Sequence, residues 1–96
     1  SLTWDELPRR VNLAKAVVEN ILPHLKGDEK VLEFGCGTGL VGLNIAPFVK
    51  KVIGIDTSSK MIEKFNKKAK KFNLNAKAYV KNIFEVNERY DIVISS

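Results

Sequence analysis

The amino-acid sequence predicts an α/β fold, a doubly wound parallel sheet of strand order 3-2-1-4 with helices mainly on one face. Short apolar runs of strand length alternate with segments whose apolar residues recur every three or four positions. The runs that begin at Lys51 and Tyr90 lack the alternation of a half-exposed strand and suit a sheet buried on both faces. A glycine-rich loop at 35–39 joins the first strand to a helix. Right-handed crossovers then place that first strand inside the sheet.

Seven elements are predicted, and most of them end at proline, glycine or polar turn residues. The first helix carries one apolar stripe with spacings of three and four, formed by Val11, Ala14, Val18, Ile21 and Leu25. In chain order the elements are a helix from 5 to 25, a strand at 30–34, a helix from 38 to 46, a strand at 51–55, a helix from 60 to 72, a strand at 76–81 and a strand at 90–94.

The third helix and third strand indicate where the sheet ends. The segment 57–59 offers N-cap residues for the helix, and Asn73 with its polar neighbours ends it. The third strand alternates apolar and polar residues, as expected for an edge strand with one wetter side. The inner face of the third helix is predicted to carry Met61, Ile62, Phe65, Ala69 and Phe72.

Composition sets the broad class of the chain. Its 96 residues make one domain, 1–96, with 45% hydrophobic residues and a net charge of +5. A single cysteine and the lack of a secretion signal predict a cytoplasmic protein. No apolar run approaches the roughly 18 residues of a membrane span. Cys36 and His24 have no partner pattern for nucleophilic or metal chemistry, so no catalytic or metal-binding residue is predicted.

The glycine loop and one acidic residue predict a nucleoside-containing cofactor. Ligands of doubly wound sheets bind beyond the carboxyl ends of the strands, and Asp56 ends the second strand, where an acid can accept hydrogen bonds from ribose hydroxyls. The spacing leaves two cofactor classes open. Gly37, Gly39 and Gly42 match the G-x-G-x-x-G pattern of an NAD(P) site, although this match begins two residues after the strand end.

The segment from Glu33 to Gly39, Glu-Phe-Gly-Cys-Gly-Thr-Gly, resembles the first motif of the class I S-adenosylmethionine-dependent methyltransferases. The segments 53–61 and 90–96 are similar to the second-strand and fourth-strand segments of that family. The resemblance covers nearly the whole chain and implies a Rossmann-like fold. It also implies S-adenosylmethionine as cofactor and methyl transfer as function.

The resemblance implies a role for each matching position. Gly35, Gly37 and Gly39 would let the loop backbone contact the methionine part and ribose of the cofactor. Glu33 would face the methionine ammonium, and Asp56 would hold the ribose hydroxyls.

The remaining positions would contact the adenine. Thr57 and Met61 would flank the base. Asn82 stands where the family usually has an acid that meets the adenine amino group, and its amide oxygen can accept the same hydrogen bond without charge assistance. Ile83 would offer its backbone N–H to a ring nitrogen.

The same resemblance implies that part of the fold is absent. The family has seven strands and helices on both faces, and any general base comes from beyond the fourth strand. We therefore expect a fragment, or a chain completed by another copy, with an apolar sheet face and a bare edge at 90–94 that favour self-association. The alternative to a cofactor-binding portion of an enzyme is a non-catalytic interaction or assembly module.

A small-molecule methyl acceptor is the favoured prediction, and nucleic acid is favoured less. The third helix is rich in lysine, but lysines on the outer side of an amphipathic helix more often form a solvated surface. No aromatic residues alternate with them as a stacking platform requires. The lysines are Lys60, Lys64, Lys67, Lys68, Lys70 and Lys71.

Overall fold

The structure is a computed structural model, described here for residues 6–95 and, for side chains, from residue 8. The helix start predicted at Asp5 lies outside the described residues. Short 3₁₀ turns occupy Leu22–His24, Ala46–Phe48 and Ile83–Glu85. The principal elements are α1 (Glu6–Ile21), β1 (Lys30–Phe34), α2 (Gly42–Ile45), β2 (Lys51–Asp56), α3 (Ser59–Lys71), β3 (Ala76–Val80) and β4 (Ile92–Ser95).

The four strands form one parallel sheet in the order β3-β2-β1-β4, which confirms the predicted topology. Val31 of β1 pairs with Val52 of β2 on one side and with Ile92 of β4 on the other. All four carboxyl ends consequently lie at the same end of the sheet. The loop after β1 is therefore held next to the end of β2.

The helices pack on one face of the sheet. Alternate strand residues share this face, and they join buried residues of α1, α2 and α3 in one apolar cluster. Phe65 of α3 is fully buried within it. Other members are Ala14, Val18, Val31, Ile45, Val52, Ile62, Ala69, Ala78 and Ile94.

The opposite face, which carries Leu32, Phe34, Ile53, Ile55, Tyr79 and Val93, is only partly open. Leu32 and Ile55 are each 2% exposed, whereas Val93 is 55% exposed. The connection from β3 to β4 reaches this face, because its residues line an open cavity of about 320 Å³ together with Ile53 and Tyr79. An ion pair from Lys30 to Glu88 (2.6 Å) ties the connection to β1. The predicted uncovered apolar face is therefore present on the β4 side of the sheet.

All three helices differ from their predicted bounds. Helix α1 ends at Ile21, where the 3₁₀ turn Leu22–His24 begins, and not at Leu25. Helix α2 begins at Gly42 and not at Thr38, because Gly39 has φ +93°, which no right-handed helix contains. Helix α3 begins after Ser58, whose hydroxyl accepts a hydrogen bond from Met61 N (3.3 Å), and it ends at Lys71, one residue before the predicted end at Phe72.

The predicted inner face of α3 is wrong at both ends. Met61 is 38% exposed and Phe72 is 62% exposed. The buried stripe consists of Ile62, Phe65 and Ala69, which lie on one side of the helix at spacings of three and four. The two end residues flank this stripe.

The free edge of β3 is partly covered by a side chain of α3. On β3, the Asn66 side chain of α3 pairs with the backbone of Ala78, accepting from its N–H (2.8 Å) and donating to its carbonyl (3.0 Å). This contact covers part of the edge and opposes strand addition there.

Within the described residues, no helix has the length and hydropathy needed to cross a bilayer.

Candidate functional site

The glycine loop turns sharply at the carboxyl end of β1. Gly35, Gly37 and Gly39 all have positive φ, at 69°, 54° and 93°. Gly39 N donates to the Cys36 carbonyl (3.0 Å) and closes the turn, while Cys36 N donates to the Ile55 carbonyl (3.1 Å) and ties the loop to β2. The predicted loop is therefore a series of turns whose glycines lie in the left-handed region of φ. A backbone hydrogen bond holds it to the neighbouring strand β2.

Gly37 and Gly39 serve different purposes. A Cβ added to Gly39 would lie 2.6 Å from the Leu43 side chain and 3.0 Å from the Phe65 ring, so the protein itself requires glycine there. A Cβ added to Gly37 would meet no atom within 4 Å. The space beside Gly37 is therefore open to a ligand that approaches the backbone.

Asp56 stands beside this open space. Its Oδ2 accepts a hydrogen bond from Gly37 N and its Oδ1 accepts one from Ser58 N, both at 2.9 Å. A carboxylate offers about four acceptor positions, so two remain for hydroxyl groups of a ligand. The geometry thus brings the predicted ribose acid and the glycine loop into direct contact.

Glu33 lies beneath the loop and is 1% exposed. Its Oε1 accepts a hydrogen bond from Gly42 N (3.0 Å) at the first residue of α2. The carboxylate therefore already occupies the backbone N–H at the start of this four-residue helix.

The environment of Cys36 makes it inert. Its side chain is 4% exposed. Burial, with the nearby negative charges of Glu33 and Asp56, raises the pKa of the thiol to about 12. The thiol stays protonated at neutral pH and does not act as a nucleophile, in agreement with the sequence interpretation.

The predicted adenine residues lie on the surface. Thr57 and Met61 are both exposed, in the connection after β2 and in the first turn of α3. Asn82 caps the 3₁₀ turn after β3: its Oδ1 accepts from Phe84 N and its N–H donates to Glu85 Oε1, both at 3.0 Å. Ile83, 38% exposed, is the first residue of that turn, where an N–H has no partner within the turn.

The structure thus brings Glu33, the glycines and Asp56 together, and it places the adenine positions on the segments that follow β2 and β3. Cavities among the described residues also lie elsewhere, including the one over the partly open sheet face and one of about 430 Å³ between α1 and the segment 40–48. Sequence reasoning assigned no role in the site to Gly54. A glycine in the middle of an apolar strand was the available signal, since it marks a close approach of another segment.

Residues 31–96 match the family described as methyltransferase domain. The chain belongs to this family. An uncharacterized methyltransferase of Schizosaccharomyces pombe is 35% identical over an alignment of 69 residues that covers 69% of this chain and 24% of that protein. An uncharacterized RNA methyltransferase of Clostridium tetani is 36% identical over 69 residues, covering 67% of this chain and 15% of that protein.

A solved methyltransferase structure agrees with the fold. Magnesium protoporphyrin IX methyltransferase from Synechocystis, crystallised with bound S-adenosylhomocysteine, superposes with a TM-score of 0.85 at 20% identity. The superposition covers 99% of this chain and 47% of that chain. The chain spans a quarter or less of the length of the two curated relatives and under half of the length of the solved structure.

Proposed function

We propose that this chain is the S-adenosylmethionine-binding portion of a methyltransferase. The observation that carries the proposal is the pair of carboxylates, Glu33 and Asp56, that flank the open glycine loop at the ends of adjacent strands. S-adenosylmethionine carries positive charges on its ammonium and sulfonium groups and hydroxyls on its ribose. Two carboxylates suit these groups and do not suit a phosphate.

The inner half of the site, formed by Glu33, the loop 35–39 and Asp56, would hold the methionine part and the ribose. Asp56 accepts the ribose hydroxyls with the acceptor positions that Gly37 and Ser58 leave available. Glu33 acts on the ammonium as a buried negative charge, where the low dielectric strengthens the attraction.

The outer half of the site, formed by Thr57, Met61, Asn82 and Ile83, would hold the adenine. Thr57 and Met61 offer exposed side chains to the faces of the base. Asn82 meets the amino group through its side-chain oxygen, which it shares with Phe84 N, and Ile83 offers its N–H. This half recognises the base through neutral groups alone.

When bound, S-adenosylmethionine supplies a methyl group that is carried on a positively charged sulfur. Transfer of this methyl group leaves the sulfur as part of a neutral thioether. The chain's own residues bind and orient, because alignment supplies much of the catalysis in such a displacement. We assign no catalytic residue to the chain, and we propose that the acceptor-binding part of the enzyme comes from elements other than those described.

An NAD(P) site is the alternative that the glycine spacing left open. Its pyrophosphate would need the backbone N–H groups at the start of α2. Gly42 N already donates to the buried carboxylate of Glu33, which would also repel a phosphate. The arrangement therefore favours S-adenosylmethionine.

We propose a small molecule as methyl acceptor and favour nucleic acid less. Five of the six lysines of α3 are exposed, and Lys68 is half-buried, where burial lowers its pKa. One aromatic contact occurs beside them, Lys71 Nζ at 5.4 Å from the centre of the Phe72 ring. One exposed aromatic residue at the end of the helix is a small platform for stacked bases.

Exposed apolar surface at β4 favours a second property. β4 is an edge strand, and Val93 on its open side is 55% exposed. We propose that the purified chain self-associates through this edge. A non-catalytic assembly role would rest on the same surface.

Calorimetry tests the cofactor proposal. We expect S-adenosylhomocysteine to bind the chain more tightly than NAD, and Asp56→Asn to weaken that binding at least tenfold, because a charged hydrogen bond is worth about 1.5–3 kcal/mol. Removal of the ribose 2′-hydroxyl from the ligand should weaken binding to the wild type and have little effect on the variant.

The matched control is Glu63→Gln, which neutralises an exposed acid on α3. It should leave the affinity within a factor of two. Tighter binding of NAD, or equal affinity of Asp56→Asn and the control, would refute the proposal.

A further inference from the structure

One aromatic ring lies beneath three glycines of the site. Placed on Gly39, Gly42 or Gly54, a Cβ would lie 3.0, 3.6 or 3.2 Å from atoms of the Phe65 ring. Phe65 is 0% exposed. The Phe65 ring therefore leaves little room for a side chain at Gly39 and Gly54 and lies at ordinary contact distance from the position at Gly42. The atoms nearest to the added Cβ belong to Leu43 at Gly39, to Glu33 at Gly42 and to Cys36 at Gly54.

Gly54 adds a second constraint from β2. A Cβ at Gly54 would lie 2.7 Å from Cys36 Sγ and 3.0 Å from Cys36 Cβ. Real Cβ atoms almost never approach other atoms so closely, so one of the groups would have to move. The Cys36 side chain thus occupies a slot that exists because position 54 is glycine.

These contacts set the position of the loop relative to Asp56. Cys36 is followed directly by Gly37, whose N–H bonds Asp56 Oδ2 (2.9 Å). The Cys36 N–H is held by the Ile55 carbonyl, which precedes Asp56. A loop displaced at Cys36 would therefore carry Gly37 away from the carboxylate.

We propose that Phe65, together with Gly54, is a positioning residue that supports the glycine loop and sets its distance from Asp56. Its link to ribose recognition rests on the proposed function. The structural part concerns the loop alone and can be measured without a ligand.

Ile62 provides the matched control. It is buried on the same face of α3, at 6% exposure, and belongs to the same apolar cluster. None of its atoms is among the nearest neighbours of the Cβ positions at Gly39, Gly42 or Gly54. Truncation of Ile62 weakens the core without removing the support under the loop.

The first experiment uses Cys36, the single cysteine of the chain, as a reporter of loop position. Thiol labelling under native conditions should be at least tenfold faster in Phe65→Leu than in Ile62→Val, after correction for the global stability of each variant. Equal corrected rates would overturn the proposal.

The second experiment measures the affinity for S-adenosylhomocysteine and for its 2′-deoxy analogue. Phe65→Leu should lose at least tenfold in affinity, and the penalty for the missing hydroxyl should shrink. Ile62→Val should change the affinity less than twofold and keep that penalty. The same loss in both variants would show a merely structural role and overturn the proposal.

A paired substitution covers the case in which Phe65→Leu does not fold. Gly54→Ala should weaken the binding of S-adenosylhomocysteine at least tenfold, and Cys36→Ala in the same chain should restore affinity to within threefold by vacating the slot. No rescue would overturn the proposal. A wild-type chain that does not bind S-adenosylhomocysteine refutes the proposed function, while the labelling rates still decide the role of Phe65.

Discussion

The inner and outer halves of the site are built differently. In the inner half, Glu33 is 1% exposed and bonds Gly42 N, and Asp56 holds two backbone N–H groups. In the outer half, Thr57, Met61, Asn82 and Ile83 are all exposed. The capping box at Asn82 is the contact that shapes the turn there.

The difference follows from position in the sheet. β1 and β2 have neighbours on both sides, so Glu33 is buried, Asp56 is half-buried, and both carboxylates accept backbone hydrogen bonds. β3 is an edge strand and its following turn is solvated. The inner half is therefore formed in advance of binding, while the outer half is held by local contacts alone.

The largest expected effect separates two glycines of the inner half. Gly39→Ala combines a left-handed backbone with a Cβ that would lie only 2.6 Å from the Leu43 side chain, so we expect it to lower the free energy of unfolding by about 3 kcal/mol. Gly37→Ala carries the backbone cost alone, about 1 kcal/mol. Urea unfolding measures both values.

Affinity should rank these variants differently. The Gly37→Ala methyl group enters the open space beside Asp56, so it should weaken S-adenosylhomocysteine binding at least tenfold in a chain that remains folded. Equal stability losses, or normal affinity in Gly37→Ala, would contradict the division of roles between the two glycines.

Glu33→Gln should have an intermediate effect. The amide oxygen can still accept from Gly42 N, and the substitution removes the negative charge. We expect S-adenosylhomocysteine to bind roughly tenfold more weakly, corresponding to about 1.4 kcal/mol. 5′-Methylthioadenosine provides the control, because it lacks the amino-acid part of the cofactor. Calorimetry should show that its affinity falls less than twofold in Glu33→Gln.

The smallest expected effect concerns the outer half. Asn82→Ala removes an exposed cap and should cost about 0.5–1 kcal/mol in stability and about threefold in affinity. Asn82→Asp keeps the cap and adds charge assistance to the adenine contact, so affinity should rise about threefold. A tenfold or greater loss in Asn82→Ala would show that the outer half is as rigid as the inner half.

Local patterns in the sequence were sufficient for the strands, their order and the glycine loop. A buried strand such as β2 is a short apolar run, and Ser58 is a recognisable helix cap. The same reasoning failed for Met61 and Phe72, because a helical stripe predicts which side is buried and not how far the sheet extends beneath it. It also overestimated α2, because it placed the start of the helix at Thr38, inside the glycine loop.

The residues of the inner half could be named from motif spacing, but their partners could not. Glu33 and Gly42 are nine positions apart and Asp56 and Gly37 are nineteen apart. Asp56 meets Gly37 because adjacent parallel strands bring their carboxyl ends together, and Glu33 meets Gly42 because the glycine loop turns the chain back over β1.

The sequence by itself determined the strands and the loop through hydrophobic periodicity and short-range residue types. It determined the strand order through the right-handed crossover of parallel strands, and the flanking acids through motif spacing. Only the tertiary structure decided that Phe65 lies under the loop and that Cys36 fits against Gly54. It also decided that the outer half of the site lies on the surface. Close packing between distant segments depends on the shape of the whole core, which no local pattern contains.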